Sequence, residues 1–278
     1  MANHVLCAPD TTQDSPLLEL VDYINEHMGC LAEGTAEPSF SAQSGALRLR
    51  GHQLEAQVGP FVLRSVERRL IAPREAGALR AYGARVQVKL PSGREVAPDI
   101  LFRLQSSAPA VVAMDRLCRV LHMLQHLERG RDEEDLWLHV GLPHVLAVES
   151  GHGEFFENLL RRCGLGPERI VLLLPVVAPD DDAYPRLAAA CASYRERGYR
   201  LALDLREPLL DGYREAALGL SADWWRIHAR DALALNGLLP VPGVLLRGAG
   251  ASGEVALQLQ APRVLREILS VAVPSFLF

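Results

Sequence analysis

Residues 170–205 read IVLLLPVVAPDDDAYPRLAAACASYRERGYRLALDL, and this stretch decides the fold class. The apolar run Ile170–Leu174 is a short strand without polar alternation, as expected when both faces of a sheet are covered. Ala183–Glu196 then reads as a helix, and Tyr199–Leu205 as a second strand. The same unit recurs on either side. Upstream lie a helix with apolar Val112, Met114, Leu117, Val120, Leu121 and Leu124, a strand Leu136–Val140 and a helix around Phe155–Cys163. Downstream, the pattern predicts a helical stretch at Leu209–Leu218, strands Trp224–His228 and Val244–Leu246, a helix Glu254–Leu269 and a last strand near Val271–Leu277. Strands alternating with amphipathic helices imply α/β architecture with a parallel sheet. Period alone leaves two forms open: an open doubly wound sheet and a (β/α) barrel.

Before the repeats come three extended runs, Ala46–Arg50, Leu54–Leu63 and Leu79–Leu90, the last ending in the turn Pro91-Ser92-Gly93. Residues 1–15 read as a loose tail. Leu17, Leu18, Leu20, Val21 and Ile24 predict a short amphipathic helix closed by Gly29, and Ala32–Gly45 reads as a linker. Residues 1–45 are therefore expected to be a helical extension, and 46–278 the main domain.

With 278 residues, 49% hydrophobic and 23% charged, the chain is globular and long enough for a large core. A net charge of −5, with no block of five like charges, argues against nucleic acid as a partner. Every apolar run is interrupted before membrane-spanning length, and the N-terminus lacks the pattern of a secretory signal, so a cytoplasmic protein is expected. Cys7, Cys30, Cys118, Cys163 and Cys191 lack CxxC spacing and read as reduced thiols.

Five segments in order resemble the EAL domain of bacterial cyclic-di-GMP phosphodiesterases. Met114-Asp115-Arg116 is similar to that family's LDR, and Leu138-His139-Val140-Gly141-Leu142 to its SVNLS. The stretch from Cys163 to Val171 resembles GLxPxRLVLE, Glu196 to Asp204 resembles xxGxRLALDD, and Asp223 to His228 resembles PDxxKID. The resemblance covers residues 54–278 and implies a TIM-like (β/α) barrel of EAL type. Arg247 follows His228 by only 19 positions, so the barrel is expected to be abridged.

The family cleaves cyclic di-GMP with metal assistance, and here the resemblance breaks residue by residue. Its EAL glutamate, placed eight residues before a Pro-x-Gly turn, falls on Gly83. The metal-binding asparagine falls on Gly141, and a further metal-binding glutamate falls in the apolar Val171–Leu174 run. Of the paired aspartates Asp204 stands, but Leu205 replaces the second. The lysine that helps activate water falls on Arg226, and the acid of EGV on Arg247. Divalent cations need several converging oxygen ligands, and an arginine cannot exchange a proton near neutral pH. The expectation is a pseudoenzyme with no metal and no cofactor, acting in bacterial signalling through a regulatory protein partner; a homodimer is left open. The alternative is a cyclic-di-GMP receptor without turnover, binding through Asp115, Arg226 and Arg247, with Arg85 as a further cation. For that reading, Gly59-Pro60 stands at the family's QP strand and Gln87 at its LLR arginine. A metal-dependent phosphodiesterase is a distant third.

Other patterns read structurally. Gly248–Gly253 matches GxGxxG but lacks the acidic residue a ribose contact needs, which leaves a strand-to-helix loop. His122 and His126 lack a third ligand and read as solvated or core-edge histidines. Asp180–Asp182 caps the following helix. Of adjacent Trp224 and Trp225, one is expected inside the barrel and the other beneath the helices. Loss of the acids predicts collapse of the old cleft, with Leu205 and one Trp filling it and Arg226 pairing with Asp204; an anion site lined by arginine is the other outcome.

Overall fold

The computed structural model describes residues 16–27, 31, 46–70, 80–178, 181–205, 211–228, 243–247 and 254–258. The tail 1–15, the linker Ala32–Gly45, the stretch Ala229–Leu235, the glycine-rich 248–253 and the strand Val271–Leu277 lie outside these.

Strands β1 (Leu47–Arg50), β2 (Gln53–Val58), β3 (Phe61–Arg69) and β4 (Ala81–Lys89) form an antiparallel meander, and the two-residue β5 (Glu95–Val96) pairs with β4. From β4 onward the sheet is parallel. It runs β4, β6 (Asp135–His139), β7 (Ile170–Pro175), β8 (Arg200–Asp204), β9 (Trp224–His228), β10 (Gly243–Arg247), each strand beside its predecessor. That order decides between the two forms. A doubly wound sheet reverses direction at a switch point, whereas right-handed crossovers without reversal put every helix on one face and leave the other as a barrel interior. Among the described residues the sheet does not close on itself.

Two expectations need correction. Leu54–Leu63 is not one strand, because Gly59-Pro60 forms a two-residue hairpin. Gly59 has φ +52°, as the first central residue of such a turn requires, and proline has no N–H for a ladder. Gly59-Pro60 therefore does not stand at a QP-like strand. The predicted helix Glu254–Leu269 begins instead as strand β11 (Glu254–Gln258), antiparallel to β10 with Arg247 opposite Glu254. Val255, Ala256 and Leu257 favour either structure locally, and pairing with β10 decides. Segment 248–253 thus joins two antiparallel strands, and the strand-to-helix context of a dinucleotide loop is absent.

On the helical face lie α1 (Pro16–Glu26), α2 (Asp99–Arg103), α3 (Ala108–Glu128), α4 (Leu142–Ala147), α5 (Glu154–Arg162), α6 (Tyr184–Glu196) and α7 (Asp211–Gly219). Helix α3 is the axis of this layer. Ser107 caps it, accepting from the Ala110 N–H, and every residue from Val112 to His126 is buried. Helix α1 sends Val21 and Ile24 into the same core. The Asn25 side chain bonds both the N–H and the C=O of Leu47, standing in for a missing strand partner at the sheet edge. Cys118 and Cys191 are buried and Cys163 half-buried, all three as free thiols, and burial pushes Cys118 and Cys163 up to about 12. No helix among the described residues is long and apolar enough to cross a membrane.

Candidate functional site

Side chains that alternate toward the barrel interior form a second, smaller core: Leu70, Ala81, Trp137, Val171, Leu173, Ala202, Trp224 and Leu245. Trp224 points inward and meets Trp137 edge to face at 5.4 Å, while Trp225 lies in the main core beneath the helices. The alternation expected of adjacent strand residues therefore holds. Gly243 faces the Trp224 ring, where a Cβ would approach to 2.3 Å, so the indole occupies space that any larger residue would contest.

Above this apolar plug, at the C-terminal ends of the strands where barrels place their chemistry, Asp204 and Arg226 stand opposite one another on β8 and β9. Arg226 Nη1 donates to Asp204 Oδ2 at 3.2 Å, the pairing expected from the sequence. His139, at the end of β6, brings Nε2 to 3.8 Å from the same oxygen. One level further out, Arg247 on β10 stands opposite His228 on β9. The mouth is thus a buried aspartate among basic side chains.

The remaining positions are dispersed. Leu205 packs in the main core on the helix side, not in the cleft, because it follows inward-pointing Asp204 and alternation turns it away. This corrects the expectation that Leu205 fills the old pocket. Gly83 lies low on β4, where an added Cβ would meet, among the described residues, Leu70 at 3.5 Å. Gly141 caps α4, and its N–H donates to Asp115 Oδ1 at 3.2 Å.

Asp115 belongs to α3. Arg119 Nη2 lies 2.8 Å from Asp115 Oδ2, one helical turn on, and His144 Nδ1 of α4 lies 3.5 Å from the same oxygen. Arg119 also faces the Phe156 ring and reaches His144 Nε2 at 3.1 Å. Burial pushes the Asp115 carboxyl up against the pull of Arg119, and burial together with the charges of Arg119 and Arg116 holds His144 well below its ordinary value. Asp115 is thus committed to joining α3, α4 and the end of β6.

The sequence reading missed His139, Arg119 and His144. Period-two alternation from Trp137 places His139 inward, and the i,i+4 spacing of Asp115 and Arg119 on an otherwise apolar helix signals a buried pair. The histidine and helix-capping readings hold among the described residues, Asp180 lying outside them. His122 bonds Ser65 at 2.7 Å, His126 sits against Glu67, and Asp181 accepts from the Ala183 N–H ahead of α6.

The family's metals need converging acids. Among the described residues no three His, Cys, Asp or Glu side chains gather to hold an ion, and Asp204 already faces Arg226. These residues do not fit a metal pair.

No protein-family model and no curated protein sequence matches the chain. Solved structures do. The EAL domain of FimX from Xanthomonas citri, in complex with c-di-GMP, is similar at 15% identity with a TM-score of 0.52, covering 71% of this chain and 85% of that one. The PaMucR phosphodiesterase, as its c-di-GMP complex, shows 16% identity and a TM-score of 0.51 over 76% of this chain and 86% of that one. The YkuI protein of Bacillus subtilis, with an EAL domain and in complex with substrate c-di-GMP and calcium, shows 15% identity and a TM-score of 0.51 over 76% of this chain. The match spans 60% of YkuI. The architecture is an α/β, TIM-like barrel sheet. More narrowly, the chain has the fold of EAL domains.

Proposed function

We propose that this protein is a catalytically silent EAL-fold regulator that works in the cytoplasm of a bacterial cell, in cyclic-di-GMP signalling, through contact with a regulatory protein. One observation carries the reading. Asp204, the single acid left among the aligned metal-ligand positions, lies against Arg226 at the place where the family resemblance puts a lysine. An arginine there holds its proton at any accessible pH, so it cannot serve as a base, and its positive charge opposes a divalent cation at the same carboxylate. The apolar plug of Trp137 and Trp224 supports the same reading, since it fills the interior without polar groups converging on a ligand.

The second reading is a receptor that binds cyclic di-GMP without cleaving it. The basic rim of Arg226, Arg247 and His139 favours it, as do the structural neighbours that carry this ligand. Its weakness is Asp115, which is engaged by Arg119, His144 and the Gly141 N–H. Calorimetric titration with cyclic di-GMP, with and without Mg²⁺ or Mn²⁺, tests both. The expected result is neither heat of binding nor linear product; binding without turnover selects the receptor, and metal-dependent turnover overturns the proposal.

A further inference from the structure

Among the described residues, helices cover the four-stranded antiparallel part of the sheet on one face only, where α1 and α3 pack. On the opposite face the cross-strand register brings together Arg48 and Arg50 of β1, Arg64 and Arg68 of β3, and Arg85 and Lys89 of β4. Two carboxylates share this face, Glu55 opposite Arg64 and Glu95 opposite Lys89. Glu55 is engaged by Arg50 and Arg64, and Glu95 accepts from Gln87. Among the described residues, Arg48, Arg68, Arg85 and Lys89 have no carboxylate partner. Among the described residues, a chain of net charge −5 thus concentrates positive charge without carboxylate partners on one face of the sheet.

We infer that this face is the docking surface for an acidic, amphipathic helix of a partner protein. The inference rests on reading the protein as a binding module and names the chemistry of its partner. Charge complementarity selects an acidic occupant. Half-buried Val62 and Val66 lie in the same row of β3 as Arg64 and Arg68. They stand about 14 Å apart along the strand, within the roughly 11 to 16 Å of two to three helical turns. A helix laid there would bury leucines on the valines, extend glutamates to the flanking cations and complete a helix–sheet–helix sandwich. A phosphate backbone offers nothing to the valines, and it meets the Glu55 carboxylate and the net negative charge of the whole molecule.

The test uses the full chain and a fluorescein-labelled synthetic helix with leucines on one face and glutamates on the other, read by anisotropy. The unmodified protein should bind it, more weakly as salt rises. The triple variant R48E/R68E/K89E should bind about tenfold more weakly or worse, whereas R103E/R161E/R186E, with the same change in net charge elsewhere, should stay within about twofold. Melting curves confirm folding, and the single variants R48E and K89E, each expected to weaken binding, carry the test if the triple variant does not fold. No binding by the unmodified protein, or equal binding by the variants of this face, overturns the inference. So does tighter, variant-sensitive binding of duplex DNA or of phosphatidylserine vesicles. Hydrolysis of cyclic di-GMP in the same buffer would defeat the silent-regulator reading alone, and the peptide result would still decide the docking face.

Discussion

The helix side of the sheet and the mouth of the barrel are built from the same residue types under opposite conditions. On the helix side, the Asp115 and Arg119 side chains are 6% and 3% exposed, His144 closes the group, and Phe156 lies against the guanidinium. At the mouth, Asp204 is 1% exposed, but Arg226 is 17% and His139 42% exposed. Removing a partner on the helix side strands a charge with no route to water. At the mouth the basic partners can turn outward. An acid that matches a family motif is therefore not by that fact a ligand residue: Asp115 matches LDR and is engaged in holding helices together.

The largest expected effect comes from Arg119→Met, which leaves Asp115 buried beside a neutral histidine. Stranding a buried charge costs about 3 to 5 kcal/mol, read as a lower urea midpoint. A loss no larger than that of a mouth variant would erase the contrast between the two regions.

Acid should act on the helix side next. Burial lowers His122 to about 4, with Glu67 opposing the shift. The unfolded chain takes up its proton near pH 6.5. Stability from this group is therefore full above about pH 6.5 and is lost as pH falls toward 4, by about 3 kcal/mol at the end of that window. His144 shifts in the same direction. Urea melts across this range should show the loss, and His122→Gln should flatten the slope. An unchanged slope would mean that His122 takes up its proton in the folded state without cost.

Smallest is Asp204→Ala. It removes a charge-assisted hydrogen bond but lets Arg226 reach solvent, so about 1 to 2 kcal/mol is expected, seen as a modest drop in thermal midpoint. Cyclic-di-GMP titration should be unaltered. A variant as stable as the parent that loses cyclic-di-GMP binding would make the mouth a ligand site.

Much of the fold was legible because burial imposes period. Trp224–His228 has the same bounds in sequence and structure, and the strand at Ile170 and the helix ending at Glu196 agree within a residue at most of their ends. The errors fall where local pattern is silent about pairing. Gly59-Pro60 sits between two apolar runs that read as one, and the segment from Glu254 carries residues that suit a helix or a strand until β10 offers its edge. For the candidate site, the sequence supplied names through a resemblance and no grouping of its own. Of the positions aligned by that resemblance, Gly83, Gly141, Asp204, Leu205, Arg226 and Arg247, the structure pairs Asp204 with Arg226 and disperses Gly83, Gly141 and Leu205.

The sequence by itself determined the α/β class and the alternation of Trp224 and Trp225 across the sheet. These follow from side-chain chemistry and from periods of two and 3.6 residues, which are local properties of the chain. Tertiary structure alone decided that the sheet is wound in one direction, that Leu205 belongs to the outer core, that Asp115 is spent on Arg119 and His144, and that six cations from three strands share one face of the sheet. Each of those depends on which distant segments become neighbours, and no local period encodes that.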